Sequence, residues 1–354
     1  MKYNTKMKFL FILKKRGTLN NHNYIGSSTG LYNSAKFISD MVNEIGIKSK
    51  ISVVNDNNDI DSEVSLYKPD YVIIEALWVV PEKFVVLQRL HPNVKWIIRV
   101  HSDIPFIANE GIAIEWICEY VKHKNVIIAC NSPKMTEHML FLTDKIVYLP
   151  NYYPPTFKNK PYKISGDVIN IGCLGAIRPL KNHLIQALSA IQFANKINKK
   201  LNFHINLDRS ENNGHPALKN IISLFKNVAD QGHKLIQHEW KTHDEFKILC
   251  SKMDIGMQIS FSETFNIVSA DLISEGVPVL SSNELPWIAK SSICEPTNSK
   301  DIVKKLLTLH NYPQYNVKSN QESLINYVIK TKSIWQKYFL GDSDDVANMS
   351  LCCI

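Results

Sequence analysis

The sequence predicts an α/β protein of two doubly wound parallel sheets, each covered by helices on both faces. Three observations predict it. Short apolar runs alternate with runs of helical period over most of the chain. A stretch rich in Pro, Tyr and Lys and without period, residues 152–167, divides that alternation into two halves of similar size. The 354 residues are 45% hydrophobic and 21% charged, enough apolar material for two cores.

The first half runs over 1–151. Lys8 to Leu13 reads as a strand, and a polar, Gly-bearing loop over 14–30 ends in Gly26-Ser27-Ser28-Thr29-Gly30. Leu31 to Ile45 has helical period and stops at Gly46. Lys50 to Val54 is the next strand, and Asn55 to Asp61 reads as a solvated acidic loop. Tyr71 to Ile74 is a buried strand. Pro81 to Leu90 is a helix with Pro in its first turn, and Val94 to Val100 is a strand ending at His101-Ser102-Asp103. Ala113 to Val121 is helical and Val126 to Cys130 is a strand. Ser132-Pro133 opens a helix with Ser as cap, and Lys145 to Leu149 is a strand ending at Pro150-Asn151.

The linker spans 152–167 and the second domain 168–314. Its strands are expected at Val168 to Leu174, Leu201 to Leu207, Lys234 to Gln237 and Ile255 to Ile259. Its helices are expected at Lys181 to Ile197, Ala217 to Val228, Asp244 to Cys250 and Asp301 to Leu309. Between them lies Ser260 to Ser281: a polar loop, an amphipathic helix from Phe265, a stop at Gly276 and a strand over Val277 to Leu280. Residues 315–340 carry one or two further helices, and 341–354 read as a loose tail.

The net charge of +8 comes mostly from lysines spread without a dense block. A lysine-rich surface with a few cations around an anionic ligand fits this better than a nucleic-acid interface, so no nucleic-acid partner is expected. A peripheral contact with an anionic membrane surface stays open. The seven cysteines are scattered, show no metal-type spacing and are expected reduced in a cytoplasmic setting. The apolar run at Phe9 to Leu13 is too short for a signal core or a membrane span.

Ligands of open parallel sheets bind at the carboxyl ends of strands. In the first half that rule selects Gly26–Gly30, Glu75 with Trp78, His101 with Asp103, and Asn131. In the second it selects Gly175 to Lys181, Leu207 to Arg209, and Ser260 to Asn266. Arg178 and Lys181 set two cations beside a tight Gly175 exit, as a diphosphate requires. Glu263 and Asp271 stand eight positions apart around a helix start whose first amides favour anions. Trp240 and His243, in a loop, could flank a base.

These residues together resemble the GT-B glycosyltransferases, most closely the retaining family 4 type. That family carries a Gly-Arg…Lys segment, then an E-x7-E motif leading into a Gly-x-Pro-Val strand. Here the first is Gly175, Arg178, Lys181. The second is Glu263 with Asp271, followed by Gly276-Val277-Pro278-Val279. The chain departs in having Asp at the second acid position, Ala176 after the glycine and Asn266 after Phe265.

The resemblance implies two Rossmann-like domains facing across a cleft and a C-terminal helix that crosses back to the first, acceptor-side domain. It implies metal-independent, retaining transfer of a sugar from a UDP- or GDP-sugar to a glycan or other hydroxyl acceptor, with no cofactor beyond that donor. Arg178 and Lys181 would hold the diphosphate and Glu263 the transferred sugar. The backbone of Thr264, Phe265, Asn266 and Ile267 would approach sugar and phosphate beside Gly175, and Asp271 would bind the ribose. His101 would lie near the reacting centre. A non-catalytic nucleotide-sugar binding protein and a sugar-nucleotide epimerase on the same fold are the alternatives.

Overall fold

A computed structural model of the chain describes residues 7–15, 29–160, 166–207 and 216–341. The expectations on Gly26–Ser28, on Asp208–Arg209 and on the tail 342–354 lie outside these. The chain divides into two units, 1–154 with 328–354 and 155–327.

The first unit begins β1 (Lys8–Lys14), α1 (Thr29–Glu44), β2 (Lys48–Val54), α2 (Asp59–Tyr67), β3 (Tyr71–Glu75) and α3 (Lys83–Leu90). It continues with β4 (Lys95–Val100), the single turn α4 (Ile104–Ile107), α5 (Ala113–Tyr120), β5 (Val126–Cys130), α6 (Pro133–Leu140) and β6 (Ile146–Tyr148). All strand pairs are parallel, in the order β2-β1-β3-β4-β5-β6. The chain leaves β1 toward β2 and then returns to the other side of β1 with β3. The carboxyl ends of β1 and β3 therefore flank a topological switch point.

Alternate residues of each strand enter opposite faces. Leu10, Ile12, Val72, Ile74, Trp96 and Ile98 join one core with residues of α2, α3, α5 and α6. Phe9 and Tyr71, on the other face, meet Phe339 at ring separations of 4.6 and 5.1 Å.

The second unit runs β7 (Val168–Gly172), α7 (His183–Lys196), β8 (Lys200–Asn206), α8 (Pro216–Asn227), β9 (Lys234–His238) and α9 (His243–Cys250). It goes on through β10 (Ile255–Gln258), α10 (Ile267–Ser274), β11 (Val279–Ser281), α11 (Ser299–Asn311) and α12 (Pro313–Leu340). The sheet order is β11-β10-β7-β8-β9, again all parallel. Its switch point lies between the carboxyl ends of β7 and β10.

The terminal run is one helix of 28 residues. Residues of α12 up to Tyr327 group with the second unit and those from Val328 with the first. Near its start, the Asn316 amide accepts from Val279 N at 2.9 Å and donates to Val279 O at 3.2 Å, which satisfies backbone groups of β11.

Several elements differ from the sequence-based expectation. The acidic loop gives way to α2 at Asp59, whose first turn carries Asp59 and Asp61 where a helix favours acids. Pro81 precedes α3 instead of lying in its first turn. Lys181 does not open α7. It ends a 3-10 turn over Pro179–Lys181, and Asn182, with φ of 58°, separates that turn from the helix. The helix α10 starts two residues later than Phe265 and is not amphipathic. Ser269 through Ser274 are all buried, so its polar side chains face protein.

Candidate functional site

Gly175 leaves β7 with φ of 104°, a conformation that side-chain-bearing residues rarely adopt. Its amide donates to Asn206 Oδ1 at 2.7 Å, tying the exit of β7 to the end of β8. Arg178 follows in extended conformation, exposed, and leads into the 3-10 turn that carries Lys181. Asn182 is buried and its amide donates to the carbonyls of Ile259 (3.1 Å) and Pro296 (2.8 Å). Phe261 N donates to Leu180 O at 2.8 Å. The cation-bearing turn and the loop after β10 are thus held to one another by backbone-directed bonds.

Gln258 spans the switch point. Its amide donates to Leu174 O at 3.0 Å and accepts from Asn266 Nδ2 at 3.1 Å. Asn266 has φ of 59° and caps α10 by accepting from Ser269 N at 2.9 Å. The same amide donates to Glu263 Oε2 at 3.1 Å. Glu263 Oε1 accepts from Thr264 N at 3.1 Å, and Glu263 Oε2 forms an ion pair with Lys181. Lys181 and Glu263, 82 residues apart in sequence, therefore meet in one place, both largely buried.

Phe265 is a core side chain, 1% exposed, packed on Trp287 and Tyr327, and its carbonyl accepts from Trp287 Nε1 at 2.7 Å. Ile267 opens α10, where the first amides lack intrahelical partners.

Asp271 is 1% exposed, and its Oδ1 lies 2.8 Å from His243 Nε2. His243 starts α9 beside a capping box formed by Thr242 and Glu245. The sequence places His243 in a loop as a candidate to flank a base; in the structure it is the first residue of α9, and its ring meets Asp271. Trp240 donates from Nε1 to Leu207 O at 2.9 Å.

In the first unit, Glu75 ends β3, and Arg99 and His101 lie at the carboxyl end of β4. Arg99 Nη1 donates to both oxygens of Glu75, at 2.8 and 3.1 Å, and both side chains are fully buried. His101 Nε2 approaches Glu75 Oε2 at 2.5 Å. Arg99 Nη2 donates to Asn151 Oδ1 at 2.6 Å, which also accepts from Ser34 Oγ. The guanidinium lies over the Trp335 ring, whose Nε1 donates to Pro150 O. Burial opposes the charge on Glu75, but Arg99 and His101 outweigh it and hold its carboxyl below the usual range. Burial dominates at His101 and pulls it below the ordinary histidine value against the pull of Glu75.

Ala76 follows with φ of 74°, a strained position for alanine at the end of β3. Asp103, which follows His101 after β4, is a buried helix cap. It is 1% exposed and caps α4 by accepting from Ile104 N at 2.8 Å. Asn131 is buried beside the Ser132 cap of α6.

The groups that sequence reasoning missed are Asn182, Asn206, Gln258 and Arg99. Arg99, Asn206 and Gln258 stand in apolar strand runs and Asn182 between Lys181 and His183, and no motif spacing marks any of them. Among the described residues no group of three His, Cys, Asp or Glu side chains gathers as a metal-ligand set. No helix among them is long and apolar enough to cross a membrane.

No known protein family and no curated relative matches the chain. Solved structures do. Sucrose-phosphate synthase from Thermosynechococcus elongatus matches with TM-score 0.68 and 12% identity, over 95% of this chain and all of that one. HepE from Anabaena, in complex with UDP and glucose, matches with TM-score 0.65 and 11% identity, over 94% and 98%. A TarM variant from S. aureus, in complex with UDP, matches with TM-score 0.57 and 14% identity over 76% of this chain. The chain spans about half of TarM, 54% of its length.

Proposed function

We propose that this chain, which has the GT-B fold of the glycosyltransferases it resembles in structure, transfers a sugar from a nucleoside-diphosphate donor to a hydroxyl acceptor. One observation carries the reading. A cation turn and an acid loop, far apart in sequence, converge at the switch point of the second sheet, with Lys181 on Glu263 and Gln258 bridging β7 and β10. Open parallel sheets bind ligands at that point.

In this reading Arg178, Lys181 and the first amides of α10 meet the charge that develops on the diphosphate as the glycosidic bond breaks. That assignment needs no metal. Glu263, held by Thr264 N and Asn266, orients a hydroxyl of the transferred sugar. Asp271, aligned by His243, accepts from the ribose hydroxyls. His101, oriented by Glu75, is the first unit's candidate for a hydrogen bond to sugar or acceptor. Front-side attack assisted by the donor phosphate, with retention, is the mechanism this assignment favours. The similar structures crystallised with UDP support a uridine donor.

The test is donor hydrolysis and transfer by purified protein against a panel of UDP- and GDP-sugars. Turnover should fall at least 100-fold in Lys181→Ala and Glu263→Ala. Turnover unchanged in both variants would rule out this site. Donor binding without turnover on any acceptor would favour a binding protein, and sugar interconversion without acceptor an epimerase.

A further inference from the structure

The second sheet has a polar patch that the donor reading does not use. On β8, Leu201, Phe203 and Ile205 enter the core, which leaves Asn202, His204 and Asn206 on the opposite face. Asn170 of β7 and His238 of β9 share that face through the register of the three strands. Beside them a cavity of about 590 Å³ is lined by Asn170, His204 and His238 and walled by Ile248 and Met253. Lys241 and Lys252 also line it.

The hydrogen bonds at the floor of this cavity assign the tautomers. Asn170 Nδ2 donates to the Asp254 carboxylate at 3.1 Å, so Oδ1 is the acceptor that faces His204 Nε2 at 3.2 Å. His204 Nε2 therefore carries the proton, and its Nδ1 accepts from His238 Nε2 at 2.8 Å. The two rings lie within 7° of parallel, with centroids 5.1 Å apart, as an edge-to-edge N–H···N bond gives. Burial and the charge of His238 take His204 down to about 4. Burial, Lys241 and Lys252 lower His238. With Nε2 of His238 as the donor to His204, Nδ1 of His238 is an acceptor whenever that ring is neutral.

We propose that this cavity is a second ligand site, which takes a small phosphomonoester. The two ammonium groups favour an anion. A neutral His238 imidazole beside them favours an anion that, itself or through the group it carries, also donates a hydrogen bond. A phosphate monoanion or a phosphorylated polyol satisfies both, whereas a simple ionised carboxylate has no donor for His238. Glu245 is the one acid in the lining, and it is turned to Thr242 by the capping box.

The site is distinct from the donor residues. On α9, His243 and Lys247 form the stripe that meets Asp271 and Glu275, while Glu245, Ile248 and Leu249 form another that meets the cavity, with Lys252 in the turn that follows the helix.

The experiment is a titration of the full chain with inorganic phosphate, glycerol 3-phosphate and acetate, read from the imidazole nitrogens of His204 and His238 by long-range 15N–1H NMR. Glycerol 3-phosphate should shift both histidines, and Lys241→Ala/Lys252→Ala should weaken its binding at least 10-fold while leaving UDP binding unchanged. Equal response to acetate, unaltered binding in the double variant, or absence of any shift would each overturn the proposal. Loss of the response in Lys181→Ala instead would place the phosphate at the donor residues and overturn it as well.

Discussion

Replacing Glu75 by Gln keeps the shape of the side chain and removes its charge. It leaves Arg99 ionised, fully buried and facing a neutral amide, with Asn151 as its other partner. Taking a charge from water into protein costs several kcal/mol, and the opposing carboxylate is what offsets it here. Removing one member of such a pair costs about 3–5 kcal/mol, whereas replacing both members by apolar residues of similar volume is often neutral. For a unit of this size each kcal/mol lowers the melting midpoint by roughly 2–4 °C, so Glu75→Gln should lower the first unit's transition by roughly 6–20 °C.

The assay is urea and thermal unfolding of Glu75→Gln, of Glu75→Leu/Arg99→Met, and of Lys318→Ala as a control. The double variant should recover most of the loss. The control, in an exposed pair with Glu322, should change stability by no more than about 0.5 kcal/mol. A loss below about 1 kcal/mol in Glu75→Gln would refute the argument that buried charge pairing holds this end of the sheet.

Three further outcomes are expected. Lys181→Ala should weaken binding of UDP by about 10- to 100-fold, the value of a charge-assisted contact, with little effect on binding of uridine, as measured by calorimetry. Gly276→Ala should destabilise the second unit by about 2 kcal/mol or more, since the added Cβ would lie 2.5 Å from the carbonyl oxygen of Lys158 at φ of +76°; wild-type urea midpoints would contradict this. Stability should fall with falling pH. His101 and His204 have folded values below the unfolded value of about 6.5, so the folded state binds fewer protons. Their contribution is complete above that pH and lost below it, down to about 4 for His204. His204→Gln should flatten the urea-midpoint profile across that window, and a midpoint that rises on acidification would contradict the sign.

Much of the architecture was legible because strand and helix periods are local. Ile255–Gln258, the Ser132 cap and the Gly276 stop each follow from neighbours within a few residues. The positions of Gly175, Lys181 and Glu263 after strand ends, and of Asp271 within the helix that follows, are legible for the same reason. Lys181 lies just short of the helix that its pattern predicts, in the turn before it. Its turn is set by Asn182, whose left-handed conformation is stabilised by carbonyls at Ile259 and Pro296, contacts that no local pattern announces. The pattern of α10 predicts an amphipathic helix because Ser269, Asp271 and Ser274 are polar types that usually face solvent, yet protein surrounds them.

The sequence by itself determined the two alternating halves, the glycine exits and the acid and cation candidates, because backbone preference and hydrophobic period act over a few residues. Only the tertiary structure decided which of those groups share a partner. The strand order brings β10 beside β7, and with it Glu263 to Lys181. It sets Arg99 under Glu75 and His101, gives Asp271 to His243, and lines up Asn170, His204 and His238 on one face. Those pairings depend on strand order and register, which are set by how whole sheets bury their faces.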